Sequence, residues 1–307
     1  MTKYYGGLAA LVDLNLEIQE GDIFGFIGPN GAGKTTTMRI LATLLEPTSG
    51  SATINGIDVR TNGKKIRRIV GYMPDFMGVY DDLKVFEYLE FFAAAFGLPR
   101  KSRKSMINGV LELTDLSAKA TAKVDSLSRG MQQRLQLARV LIHDPKVLIL
   151  DEPASGLDPR ARIEIRELLR ELKTMGKTIM ISSHILSELQ EMCDHIGIIE
   201  RGQLVFSGTK EDVRKQMGVH SKYRVRVKGG PDEQNRAAKI LSALPQVLDA
   251  FCENTHIAVH LKDGEADNDA SFIAKAIVQS DLGLISLVPV EVKLDDAFLQ
   301  LTKGIVH

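Results

Sequence analysis

Gly28-Pro29-Asn30-Gly31-Ala32-Gly33-Lys34-Thr35-Thr36 is the stretch that decides the reading of this chain. It fits G-x-x-x-x-G-K-[ST], the pattern of a phosphate-binding loop. An apolar run, Ile23-Phe24-Gly25-Phe26-Ile27, leads into it, and Thr37-Met38-Arg39-Ile40-Leu41 follows with a helical pattern. Strand, loop and helix therefore stand in the order the motif needs. The glycines let the backbone curl so that the N–H groups of Asn30, Gly31, Ala32 and Gly33 converge on an anion. The helix behind the loop adds its positive end. Lys34 is placed to reach β- and γ-phosphates, and the Thr35 hydroxyl, with Thr36 beside it, to sit on Mg²⁺.

A second constellation answers the first. Val147-Leu148-Ile149-Leu150 runs straight into Asp151-Glu152-Pro153. An apolar strand ending in a carboxylate is the usual partner of such a loop. Asp151 would hold Mg²⁺ directly or through water, and Glu152 would orient and deprotonate an attacking water. Ile181-Ser182-Ser183-His184 ends another apolar strand. A histidine at the carboxyl edge of a parallel sheet, where ligands bind, reads as a hydrogen-bonding switch toward a γ-phosphate. Leu127-Ser128-Arg129-Gly130-Met131 opens an amphipathic helix, with Ser128 as N-cap and Gly130 next to it. That is a second helix start able to receive phosphate. Two such starts in one chain point to a nucleotide held between two protomers.

The 307 residues suggest two domains. Hydrophobic and charged fractions of 44% and 25% are those of a globular protein. With 39 basic and 39 acidic residues the formal net charge is zero, which argues against a nucleic-acid partner or an anionic surface. Cys193 and Cys252 lie far apart without metal-ligand spacing and fit a reducing compartment. No apolar run approaches the roughly 20 residues of a membrane span, and the N-terminus lacks a secretion signal. A chain that is itself a channel or a secreted protein is not expected.

Apolar runs alternating with helical segments predict an α/β fold with a mostly parallel sheet covered on both faces. The alternation Leu11–Ile18 reads as a strand, and Asn55-Gly56 as a hairpin turn. Residues 81–125 read as mostly helical, broken at Gly97-Leu98-Pro99. Beyond residue 218 the texture changes. Tyr223–Lys228, Val247–Cys252, His256–Leu261 and Leu284–Val292 read as strands, with helices over 234–244 and 268–279. The order β-α-β-β-α-β predicts a small ferredoxin-like α+β domain. The boundaries drawn are 1–217, including a helical subdomain over about 76–135, and 222–307, with a linker near Met217–Ser221.

Together these motifs resemble the nucleotide-binding subunit of ABC transporters, over about residues 3–215. LSRGMQQR, residues 127–134, resembles the family signature LSGGQ-x-QR, with Arg129 and Met131 departing from it. Ser155-Gly156-Leu157-Asp158 resembles the D-loop, His184 the H-loop histidine, and Tyr5 the aromatic that stacks on adenine. The resemblance implies a P-loop ATPase with an antiparallel β subdomain and a helical subdomain. It implies a homodimer in which each ATP lies between the P-loop of one protomer and Ser128 of the other. It further implies an integral membrane partner driven by closure and reopening, and a place on the cytoplasmic face of the membrane. Where the family usually has Gln, Gly71-Tyr72-Met73-Pro74-Asp75 puts Asp75, which would ligate Mg²⁺ through water rather than donate. The family also has a strand before its aromatic, so Tyr5 is expected either on a trimmed start or on a frayed terminus.

The tail of about 90 residues, the run Gly71–Tyr80 and the ending Leu294–Leu301 resemble the drug- and antibiotic-export branch. Residues 76–100 would then grip the membrane partner. The rival class is a soluble ABC-type ATPase acting on nucleic acid or the ribosome. It is disfavoured by the single P-loop, the neutral charge and the lack of sustained heptads. The C-terminal domain reads as a dimer-stabilising or packing module in preference to a ligand sensor.

Overall fold

A computed structural model describes residues 1–75, 82–185, 189, 192–209, 212, 222–262 and 270–290. Phe76, Val79 and Tyr80 of the expected gripping surface, the expected linker Met217–Ser221 and the ending Leu294–Leu301 lie outside the described residues. The chain divides into two compact units, Met1–Thr209 and Lys210–His307.

The first unit is built on a six-stranded sheet. Its strands are β3 (Ile23–Ile27), β6 (Val70–Met73), β7 (Val147–Leu150), β8 (Thr178–Ser183), β9 (His195–Glu200) and β10 (Gln203–Thr209), in the order β10-β9-β3-β8-β7-β6. All neighbours run parallel except β10 against β9. This is the expected mostly parallel α/β sheet. Every residue of β3 is buried, which explains why its sequence is apolar without alternation. Phe24, Phe26, Met38, Ile40, Ile149 and Met180 share one core with Leu11, Leu14 and Ile199. Full burial of each large apolar side chain contributes about 1.5–3 kcal/mol.

Two small antiparallel pairs accompany the sheet: β1 (Lys3–Tyr5) with β2 (Leu8–Leu11), and β4 (Thr53–Ile54) with β5 (Ile57–Asp58). The second closes at Asn55 and Gly56 with φ of 50° and 70°, the doubly left-handed turn that Asn-Gly favours. The strand expected over 11–18 ends at Leu11. The alternation there is real in burial, since Leu11 and Leu14 are buried while Asp13, Asn15 and Glu17 are exposed. The backbone, however, bonds to scattered partners: Val12 N donates to Gly202 O, and Leu14 N to Met1 O, both at 2.9 Å. Periodicity reports which side meets the core and says nothing of a ladder partner.

Among the described residues of this unit are the helices α1 (Lys34–Leu41), α2 (Gly63–Ile69), α3 (Val85–Ala95), α4 (Arg100–Leu113), α5 (Arg129–Leu141) and α6 (Pro159–Thr174). The break at Gly97–Pro99 separates α3 from α4, as expected.

In the second unit the order is β11 (Lys222–Val227), α7 (Pro231–Ser242), β12 (Val247–Glu253), β13 (His256–Leu261), α8 (Ser271–Gln279) and β14 (Leu284–Val290). The four strands form one antiparallel sheet in the order β12-β13-β11-β14, the ferredoxin-like arrangement read from the sequence. Val225, Val227, Ile257, Val259 and Leu261 face Ala237, Leu241, Ile273 and Ile277 of the two helices. Helix α7 starts three residues earlier than expected, at Pro231, where a missing N–H costs nothing and Glu233 accepts from Gly230 N at 2.8 Å.

Candidate functional site

Because β3, β7 and β8 are parallel and in register, their carboxyl ends emerge side by side. Ile27 pairs with Ser183 and Leu150 with Ile181. The loop after β3, the carboxylates after β7 and His184 after β8 therefore meet at one edge of the sheet.

The loop turns into α1 at Gly33, whose φ is 111°. A Cβ there would stand 2.7 Å from Leu11 Cδ2 and 2.8 Å from Ala10 O, so only glycine fits. Asn30 and Gly31 are exposed, Ala32 is buried, and Thr35 is exposed with Thr36 half-buried beside it. Lys34 is buried; its Nζ donates to Gly28 O at 2.6 Å and lies 3.6 Å from Glu152 Oε1. Burial holds its pKa below the ordinary lysine value, with Glu152 and Asp151 opposing that shift.

Asp151 is 1% exposed. Its Oδ1 accepts from Ser182 Oγ at 2.6 Å, and its Oδ2 is buried without a hydrogen-bond partner among the described residues. A buried, unmatched carboxylate oxygen is costly unless a cation takes it. Oxygen donors from Asp151 and Thr35 are what a hard divalent ion prefers. Glu152 follows in the left-handed region at φ 51°. Its N–H donates to Ser182 Oγ at 2.9 Å, and its Oε2 takes the Nδ1 hydrogen bond of His184 at 2.9 Å. Ser182, which the sequence reading passes over, thus fixes both carboxylate residues at once. Gln133 of α5 holds the next residue of the same turn, donating to Pro153 O at 2.7 Å. Two polar residues ending an otherwise apolar strand were the available signal for Ser182. Gln133 had none beyond its place on an inward helix face. Asp75 is exposed at the end of the β6 segment, close enough to add a minor upward push on the Lys34 pKa.

The remaining expected residues gather elsewhere. Ser128 Oγ accepts from Met131 N at 3.3 Å as the N-cap of α5, and Asp158 Oδ1 accepts from Ala161 N at 2.9 Å as the N-cap of α6. Gly130 lies against Ala161, and the Arg129 guanidinium lies on Gly156. The starts of α5 and α6 are thereby packed into one patch. Tyr5 is half-exposed on β1 with Lys3 Nζ 5.3 Å above its ring. The frayed-terminus expectation for Tyr5 fails: β1 is ladder-paired with β2, and the Met1 ammonium donates to Leu14 O at 2.9 Å.

No helix among the described residues is long and apolar enough to cross a membrane.

Comparison with known proteins gives concordant matches. The family profile described as ABC transporter matches residues 11–155. An uncharacterized ABC transporter ATP-binding protein of Synechocystis sp. is 36% identical over 294 residues, 95% of this chain and 78% of that protein. The bacitracin transport ATP-binding protein BcrA of Bacillus licheniformis is 35% identical over 309 residues, 99% of this chain and 96% of that protein. Among solved structures, the dimeric structure of a bacterial ABC transporter cassette matches with TM-score 0.61 and 28% identity, covering 68% of this chain and 95% of the other.

Proposed function

The chain belongs to the ATP-binding proteins of ABC transporters, a family of ATPases, and from that premise we propose that it powers export through a separate membrane subunit. The observation that carries the chemistry is the joined set Lys34, Asp151, Glu152, Ser182 and His184 at one sheet edge. The export reading draws on the match over nearly the full length of BcrA, a bacitracin transport protein. The dimer reading draws on the likeness to a cassette solved as a dimer.

Lys34 and the N–H groups of the loop bind the β- and γ-phosphates. Thr35 and Asp151 would hold Mg²⁺, with Asp75 reaching it through water; the ion, when bound, withdraws charge from the phosphates. Glu152 takes a proton from water as its oxygen bonds to the γ-phosphorus. The bond from that phosphorus to the bridging oxygen breaks, and the electron pair leaves on ADP. His184 holds Glu152 through Nδ1 and turns its other ring nitrogen to the phosphate. Ser128, Gly130 and Asp158 line the face offered to the partner protomer's ATP, and Tyr5 stacks on the adenine. Residues 1–217 act as the nucleotide-binding domain and 222–307 as an accessory domain, at the cytoplasmic face of the membrane. ATP closes the pair and hydrolysis reopens it, which drives the membrane subunit.

Purification in mild detergent from native membranes, with partners identified by mass spectrometry, tests this. A co-purifying multi-span protein is the expected result. Recovery only with ribosomes or nucleic acid would keep the ATPase chemistry and move the function to the soluble class.

A further inference from the structure

One face of the second unit's sheet is covered by α7 and α8; the other carries a pattern of its own. Residues alternate across a strand, so the register fixes that face. Asp249, His260, Lys222 and Val290 form one cross-strand row. Phe251, Ala258, Arg224 and Val288 form the next. Glu253 opposite His256, and Arg226 opposite Ser286, lie in the third. Strand β12 is thus acidic with a central aromatic, β11 is basic throughout, and β13 between them has a small residue at its middle. Phe251 is 46% and Val288 50% exposed. Asp249 and Glu253 are tied to His260 and His256 at 2.7 and 3.2 Å but keep half or more of their side chains in solvent. Lys222, Arg224 and Arg226 make no ion pair among the described residues.

From this self-complementary pattern we infer that the open sheet face pairs with the same face of a second copy of this chain. A two-fold axis running along β13 lays the acidic strand of each copy over the basic strand of the other. Asp249 then meets Lys222, Glu253 meets Arg226, and the Phe251 ring meets the Arg224 guanidinium, a cation–π arrangement. Ala258 faces itself across the axis, where its small side chain lets two sheets approach to about 10 Å. An axis perpendicular to the strands would set β12 on β12 and β11 on β11, and like charges reject it. The face is isologous in the sense a two-fold contact requires. It is small beside a standard interface of about 1,600 Å², so it acts chiefly where two chains are already held together and the effective concentration is high. The contact is built from the second unit alone and does not depend on the ATP-site reading.

Crosslinking of the full chain with a short bismaleimide, which joins thiols across the roughly 10 Å between packed sheets where a disulfide cannot reach, tests it. Cys252→Ser combined with Ala258→Cys should give a covalent dimer with that reagent at least about tenfold faster than Cys252→Ser with Ser242→Cys on α7, tenfold corresponding to about 1.4 kcal/mol. Adding Lys222→Glu and Arg226→Glu should remove that advantage, as should Asp249→Lys with Glu253→Lys. Mixing these two reversed chains should restore it, because each then opposes its complement. Equal trapping at positions 258 and 242, trapping indifferent to either reversal, or no recovery in the mixture would overturn the inference. So would an Ala258→Cys chain whose new thiol neither forms dimer nor reacts with a maleimide, since residues 291–307 of the same chain would then cover the face.

Discussion

Glu152 shows how a single residue is committed to its task. It sits at φ 51°, a conformation that non-glycine residues adopt at a price of about 1–3 kcal/mol and that concentrates at functional sites. The hydrogen bonds to Ser182 and His184 and the ion pair with Lys34 hold it there. Glu152→Gln is expected to lower phosphate release by about 10²–10⁴-fold while nucleotide binding persists; normal turnover would remove Glu152 as the base. Lys34→Ala should instead abolish most ATP affinity in a titration with fluorescent nucleotide, and unchanged affinity would undo the loop assignment. Gly33→Ala forces a Cβ to 2.7 Å from Leu11 and to a φ that alanine avoids. It is expected to lower unfolding free energy by about 1–3 kcal/mol, read in urea melts, and a melt identical to the parent would contradict the packing described. Lys34, Asp151 and Glu152 were legible because their motifs are local. Ser182 was not, because its bond to Asp151 spans 31 positions and exists only once β7 and β8 pair.

At the scale of elements, His143 joins two parts of the first unit just past α5. Its ring stacks on Phe96, beyond α3, with centroids 3.9 Å apart, and its Nε2–H donates to Val70 O at the head of β6 at 3.1 Å. Burial, the largest cause, lowers its pKa from 6.5; Lys177 adds to that, and the Val70 bond and Asp144 oppose it. A histidine with a lowered folded pKa contributes stability above its unfolded value. That contribution is lost as pH falls through the folded pKa, since the unfolded chain takes the proton first. Melting temperature should therefore drop from about pH 7.5 to about pH 5.5, a span that brackets the ordinary histidine value, and His143→Gln should flatten that part of the profile. Parallel profiles for the two proteins would refute it. Sequence patterns placed α3, α4 and the α5 N-cap well, but the stacked pair Phe96 and His143, far apart in the chain, has no local signature.

The whole molecule is two units with separate cores, the first gathered around Phe24, Phe26 and Met38 and the second around Val225, Ile257 and Ile273. Cores that share no residues can unfold in separate steps. Calorimetry is expected to resolve two transitions. Ile257→Ala should destabilise only the one belonging to the second unit, by about 2–5 kcal/mol. A single transition shifted as a whole would show that the cores are thermodynamically one.

The sequence by itself determined the class of fold, the phosphate loop, the carboxylates after β7, the caps of α5 and α6 and the order of elements in both units. These depend on neighbours within a few residues or on a periodicity of about two or 3.6, which a linear chain carries in full. The tertiary structure alone decided that Val12–Ile18 joins no ladder, that Tyr5 is tied into a hairpin, that Ser182 braces the two carboxylate residues after β7 and that Gln133 holds Pro153 behind them. It alone brought the acids of β12 and the bases of β11 onto one open face. Each of these is a contact between residues distant in the chain, and no local preference encodes which distant partner the folded backbone will supply.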